Sequence, residues 1–134
     1  MNFEKSVINR VLKAALKEKK ITLFNNRDCL RDFIYIDDII NAFNLSGKLS
    51  DKCFNGDVYN LGSSTKFPLV DAWRILQKKT DIKIITIDNK RILAPMEYRS
   101  FDCDSTKFRC ASKWIDMISF NKGIDLTVDY LKNL

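Results

Sequence analysis

Histidine is absent from this chain of 134 residues. No cysteine can therefore have the imidazole partner of a papain-like nucleophile. The four cysteines, Cys29, Cys53, Cys103 and Cys110, form no C-x-x-C pair. A thiolate zinc centre would need all four to converge from separate places, so no metal site is expected. Scattered reduced thiols are the simpler reading, and they fit a cytosolic protein. No apolar run approaches the roughly 20 residues of a membrane span. The first twenty residues are basic and helical in pattern, but they include Glu4 and Glu18. They also lack the apolar centre and small-residue cleavage site of a secretion signal, so a cytoplasmic location is expected. No five like charges stand in a row, and no RNP, KH or zinc-knuckle pattern is present. The net charge of +6 is spread along the whole chain. It reads as a solvated surface with a few anion contacts, not as a nucleic-acid interface.

What is present is ordinary globular material, 46% hydrophobic and 30% charged. The length suits one domain, residues 1–134, with a core of its own. Residues 3–19 carry Val7, Ile8, Val11, Leu12, Ala15 and Leu16 at helical spacing. Short strands follow at 21–24 and 31–36, separated by an Asn-Asn-Arg-Asp turn at 25–28. Asp37 is placed to cap a helix reaching about Ser46. A polar loop at 47–56 leads to a strand at 57–61, ended by Gly62-Ser63-Ser64. Pro68 opens a helix that buries Leu69, Ala72, Trp73 and Leu76 and ends near Thr80. Residues 82–87 alternate and are β-branched, the pattern of a strand. A loop at 88–98 precedes two helices, one capped by Asp104 and one over 121–134. The order α-β-β-α-β-α-β-α-α predicts an α/β fold with a small mixed or parallel sheet and flanking helices.

The segment Leu30-Arg31-Asp32-Phe33-Ile34-Tyr35-Ile36-Asp37-Asp38-Ile39-Ile40-Asn41-Ala42 is the most specific in the chain. By residues and spacing it resembles the R-D-F/W-x-Y-V-x-D-x-x-x-A segment of the NAD(P)-dependent epimerase/dehydratase family. These are extended short-chain dehydrogenases/reductases that modify nucleotide sugars. Ala15 to Phe24 resembles the family's A-L-x-G-x-x-L-P/T-I-Y stretch, and Val58-Tyr59-Asn60-Leu61-Gly62-Ser63 its V/T-Y-N-I-G-S/G strand. Arg99, ahead of Asp104 and Lys107, stands near the family's R-x-x-x-x-D-x-S/T-K stretch; Arg91 is displaced upstream of where a second arginine is usual.

The resemblance implies a nucleotide-sugar substrate, with Arg31 on its phosphates, Thr22 and Phe24 about its base and ribose, and Asn60 and Arg99 as further contacts. Chemistry agrees for Arg31, because a guanidinium grips a diphosphate through two parallel charge-assisted hydrogen bonds. By itself the spacing favours a surface ion pair with Asp28 or Asp32, and it is the resemblance that reverses the preference. Asn60 presents donor and acceptor together and can read a base or sugar edge. Phe24 can offer a ring face, and a core aromatic at a strand end fits it equally well.

The family's other half is not recognisable. Four glycines are present and none has the G-x-x-G-x-x-G spacing of a dinucleotide-binding turn. Residues four beyond Tyr35, Tyr59, Tyr98 and Tyr130 are Ile39, Ser63, Asp102 and Leu134, so the catalytic Y-x-x-x-K is missing. No catalytic residue and no cofactor contact is therefore assigned. The expectation is the carboxyl-terminal, substrate-binding portion of such an enzyme, without its amino-terminal Rossmann half. NAD(P) would belong to the complete enzyme and not to this chain alone. Epimerisation, elimination and decarboxylation remain open as the reaction, so isomerase and lyase both stand, within carbohydrate biosynthesis. A truncated or split gene product and a non-catalytic nucleotide-sugar-binding module remain as alternatives.

Overall fold

The computed structural model describes residues 6–24, 29–53, 56–87 and 99–133. The expected turn at 25–28 with Arg27, and the loop at 88–98 with Arg91, lie outside the described residues. The elements are α1 (Val7–Lys17), β1 (Lys20–Phe24), β2 (Leu30–Asp32), α2 (Ile36–Cys53), β3 (Lys66–Pro68), α3 (Leu69–Thr80), β4 (Lys83–Ile87), α4 (Thr106–Ser112) and α5 (Phe120–Lys132). Their order is the one that the sequence pattern predicts, and the fold is α/β with short strands and flanking helices. Two compact units are interleaved along the chain. The first takes Met1–Cys29, Pro68–Arg99 and Ile124–Leu134; the second takes Leu30–Phe67 and Ser100–Gly123.

In the first unit, β1 and β4 run parallel, with Lys20 opposite Lys83 and Phe24 opposite Ile87. Parallel strands need apolar cover, and amphipathic helices supply it. Val11, Leu12 and Ala15 of α1 and Leu69, Ala72, Trp73 and Leu76 of α3 are buried. Leu23, Ile82, Ile124 and Val128 are buried in the same unit. α3 stops at Asp81, which takes the left-handed conformation at φ 55° and returns its N–H to the Gln77 carbonyl. Aspartate tolerates that geometry better than most side chains.

In the second unit, β2 pairs with β3. α2 packs on α4 around Ala42, Phe108 and Trp114, joined by Ile34, Leu45, Tyr59 and Leu61. Phe120 at the start of α5 stacks near Phe33 and Phe67, with ring centroids 4.9 and 5.3 Å away. Three sequence readings change here. α2 runs on through Gly47 to Cys53 in place of a polar loop. Asp37 lies inside the first turn, and the first helical N–H groups turn back to the Tyr35 carbonyl. Residues 57–61 belong to neither sheet, while Lys66–Pro68 forms the third strand. No helix among the described residues is long and apolar enough to cross a membrane.

Candidate functional site

Arg31 occupies the middle of β2, and its guanidinium is held from two sides. Nη1 donates to the Leu30 carbonyl at 2.8 Å, and Cζ lies 5.1 Å from the centre of the Phe101 ring. Stacking of this kind orients the planar fork as well as adding attraction. The backbone brings Phe101 there. Its N–H donates to the Leu30 carbonyl at 3.1 Å, and the Leu30 N–H donates to Ser100 Oγ at 3.0 Å.

Asp32, the next residue, serves the backbone of a different segment. Its Oδ1 accepts the Ser63 N–H at 2.8 Å. Its Oδ2 is buried without a hydrogen-bond partner among the described residues. Gly62 lies so close that a Cβ there would stand 2.5 Å from this oxygen and 2.6 Å from Cys103 Cβ. Burial, helped by the Asp32 and Asp102 carboxylates, pushes the Cys103 thiol up and keeps it protonated and inert.

Asn60 precedes this crowded turn. Tyr59 and Leu61 on either side pack on the Phe108–Trp114 cluster, and Asn60 itself is exposed. Arg31 and Asn60 thus belong to the second unit. Thr22, Phe24 and Arg99 belong to the first. Thr22 is exposed on β1 opposite Ile85. It lines an open groove of about 870 Å³ with Arg10, Lys13, Lys17, Lys20 and Glu18. Phe24 ends β1 opposite Ile87, and Arg99 is exposed.

The best-satisfied polar cluster was not legible in the sequence. Arg109 of α4 donates from Nε to Ser105 Oγ at 2.8 Å, and from Nη2 to the Gly62 carbonyl at 2.9 Å and Asp116 Oδ1 at 2.8 Å. The same guanidinium lies 4.8 Å from the Trp114 ring centre. Asp116 Oδ2 accepts from Ser64 N at 3.0 Å, Ser64 Oγ at 2.9 Å and Ser63 Oγ at 3.2 Å. The pair therefore locks residues 62–64, directly after Asn60. Arg109 lies on α4 and Asp116 in the loop after it, where no periodicity reports which side chains meet.

Burial pushes the Asp116 carboxyl up, but hydrogen bonds from Ser64 and Arg109 outweigh it and hold the group at about 2, below the ordinary 3.8. The side chain is only 9% exposed. A carboxylate whose value is lower when folded stabilises the fold above its unfolded value. That contribution, about 2 kcal/mol at 1.36 kcal/mol per pH unit, is lost as pH falls from about 4 through about 2. Urea unfolding between pH 6 and 2.5 is expected to show this loss, and Asp116→Asn to be weaker at pH 6 with a flatter slope below pH 4.

Tyr35 does not offer a base, because burial and the neighbouring Asp37 carboxylate raise its phenol. Among the described residues no cluster of acids and thiols is arranged to hold a metal ion.

Residues 1–62 match the NAD dependent epimerase/dehydratase family. The match covers a little under half of the chain. Solved epimerases share the fold over 96% of this chain. They include the UDP-glucose 4-epimerase of Thermotoga maritima with UDP-glucose, at 20% identity and a TM-score of 0.77. The UDP-glucuronic acid 4-epimerase of Bacillus cereus with UDP-glucuronic acid and NAD gives 23% and 0.79. The ADP-L-glycero-D-manno-heptose-6-epimerase of Helicobacter pylori gives 22% and 0.79. The chain spans only 40%, 40% and 38% of these three enzymes, as a carboxyl-terminal portion would. No curated protein sequence matches it.

The Bacillus cereus enzyme is solved with NAD, and the residues described here do not fit the diphosphate of such a cofactor. That group sits on a glycine turn between a parallel strand and a helix. Here Phe33-Ile34-Tyr35 joins β2 to α2, and β3 runs directly into α3 at Pro68. Gly47 is inside α2, and Gly62 and Gly123 are closely packed, against Asp32 and Cys103 and against Tyr35.

Proposed function

We propose that this chain is the substrate-binding portion of an NAD(P)-dependent nucleotide-sugar epimerase or dehydratase. It holds the nucleoside diphosphate and leaves hydride chemistry to a separate dinucleotide-binding half. The observation that carries this reading is the Arg31 guanidinium, oriented by Phe101 and Leu30 inside the stretch that matches the family. Arg31 binds the diphosphate with its fork, and the exposed Asn60 amide reads the base or ribose. Thr22 and Phe24 are assigned to the base and ribose, and Arg99 to added charge. Four cations around Thr22 favour an anionic ligand there. With neither a glycine-rich turn nor a Y-x-x-x-K tyrosine, the 134 residues alone turn over no sugar nucleotide.

Calorimetry with UDP tests the reading. Hydrogen bonds to a charged partner are worth about 1.5–3 kcal/mol. Arg31→Ala is therefore expected to weaken UDP binding by about ten- to a hundredfold with an unchanged circular-dichroism spectrum. Arg31→Lys restores only part of the affinity, because an ammonium carries the charge without the fork. Equal affinity for the parent and Arg31→Ala would overturn the assignment. Turnover of UDP-glucose by the purified chain with NAD would overturn the division of labour.

A further inference from the structure

Residues 57–61 are in neither sheet, so no ladder of backbone hydrogen bonds fixes them among the described residues. Three successive residues of α4 take hold of this segment and of the turn after it. Lys107 Nζ pairs with Asp57 Oδ2 at 2.9 Å, donates to the Val58 carbonyl at 3.4 Å and lies 4.5 Å from the centre of the Tyr59 ring. Phe108 meets the same ring edge-on, with centroids 6.0 Å apart. Arg109 donates to the Gly62 carbonyl at 2.9 Å and, through Asp116, fixes the turn that follows. The polar grip falls on residues 57–59 and on 62–64. Asn60 lies between the two, exposed.

Magnitudes say what the Lys107 grip does. The Lys107 and Asp57 side chains are 55% and 59% exposed, and an exposed ion pair adds little to stability. A cation over a tyrosine ring at such a site adds little more. One ammonium on three consecutive residues instead narrows the positions that they take. A side chain that reads a ligand edge needs this, because ordering it at the moment of binding subtracts from affinity. Functional groups are held to within about 0.5 Å by supporting contacts of this kind. We propose that Lys107 is a positioning residue for nucleotide recognition. It fixes residues 57–59 from α4, Arg109 fixes the far side, and the Asn60 amide is presented to the base or ribose between them. The inference rests on the proposed function above and adds to it a residue that touches no ligand. It also separates two roles within the second unit. Arg31 takes the diphosphate, and the hold of α4 on the Asn60 segment supplies the preference for a nucleoside diphosphate over bare diphosphate.

Calorimetry of the full chain with two ligands, UDP and inorganic diphosphate, tests this. Lys107→Met keeps the aliphatic stem and removes the charge. It is expected to weaken UDP by about three- to tenfold, the worth of one neutral hydrogen bond, and to leave diphosphate within about twofold. Asn60→Ala gives the same pattern, and the double variant is no weaker than either single one. Lys107→Arg retains a cation and restores most of the UDP affinity. Nitrogen-15 relaxation is expected to show lower backbone order at 57–61 in Lys107→Met, with an unchanged urea midpoint. A merely structural role would lower the midpoint and weaken both ligands together. Equal loss of UDP and diphosphate, additive effects of Lys107→Met and Asn60→Ala, or unchanged order at 57–61 overturns the proposal. Arg31→Ala weakens both ligands, so failure of the nucleotide reading shows there as unchanged affinity, independently of Lys107. A chain that binds neither ligand overturns both.

Discussion

Asp38→Ala is expected to cost about 3 kcal/mol of stability, although its neighbour Asp37 can be replaced almost without effect. The two aspartates are adjacent in sequence and opposite in role. Asp37 is exposed in the first turn of α2, where a carboxylate gains only a few tenths of a kcal/mol from the helix dipole, about 0.3–1. Asp38 is 1% exposed. Its Oδ1 accepts the Met117 N–H at 3.0 Å and its Oδ2 the Ile118 N–H at 2.9 Å. Its own carbonyl accepts the Trp114 indole N–H at 3.1 Å. Alanine would leave both N–H groups without their charged acceptor, each bond worth about 1.5–3 kcal/mol before relaxation. Urea midpoints of the two alanine variants measure the contrast. Equal midpoints would show that the 113–119 loop does not depend on this carboxylate.

Gly62→Ala is expected to destabilise by about 1–3 kcal/mol, at the upper end of that range for overpacking. The new methyl would meet Asp32 Oδ2 at 2.5 Å, Cys103 Cβ at 2.6 Å and the Cys103 carbonyl oxygen at 3.0 Å. Neither neighbour yields easily. The Asp32 carboxylate is fixed by the Ser63 N–H, and Cys103 presents a Cβ and a backbone oxygen. The turn must shift, and Asn60 with it, so weaker UDP binding is expected to accompany the lower melting temperature. Gly47→Ala supplies the opposite control. No atom lies within 4 Å of a Cβ there, and in the middle of α2 alanine gains about 0.5–1 kcal/mol over glycine. A Gly62→Ala protein as stable as the parent would mean that the close approach is not a constraint.

The helices were the legible part of this fold, because burial and periodicity carry the same information. Leu69, Ala72, Trp73 and Leu76 stand on one face of α3 in the sequence, and all four are buried. What escaped is short or long-range. β3 has three residues and ends in a proline, too little for an alternation to show. The 57–61 segment does alternate, but a strand needs a neighbour, and a sequence names none. α2 outran its predicted end: it passes through Gly47 to Cys53, and Ser46 donates its hydroxyl to the Ala42 carbonyl at 2.8 Å. The Asp38 role did leave a trace. Asp38 and Ala42 are four residues apart, on the face that is buried, whereas Asp37 is not. Of the candidate site, the Arg31 motif was readable as a pattern. Its support by Phe101 was not, because that contact joins residues far apart in the chain.

The pairing of Lys20 with Lys83 has a consequence for the birth of this polypeptide. Translation proceeds at roughly 5–20 residues per second. β1 therefore leaves the ribosome seconds before β4 exists, with its hydrogen-bonding edge bare and the apolar side of α1 beside it. During that interval the nascent segment can associate with other chains, and the cations at 10, 13, 17 and 20 supply the mutual repulsion that keeps copies apart.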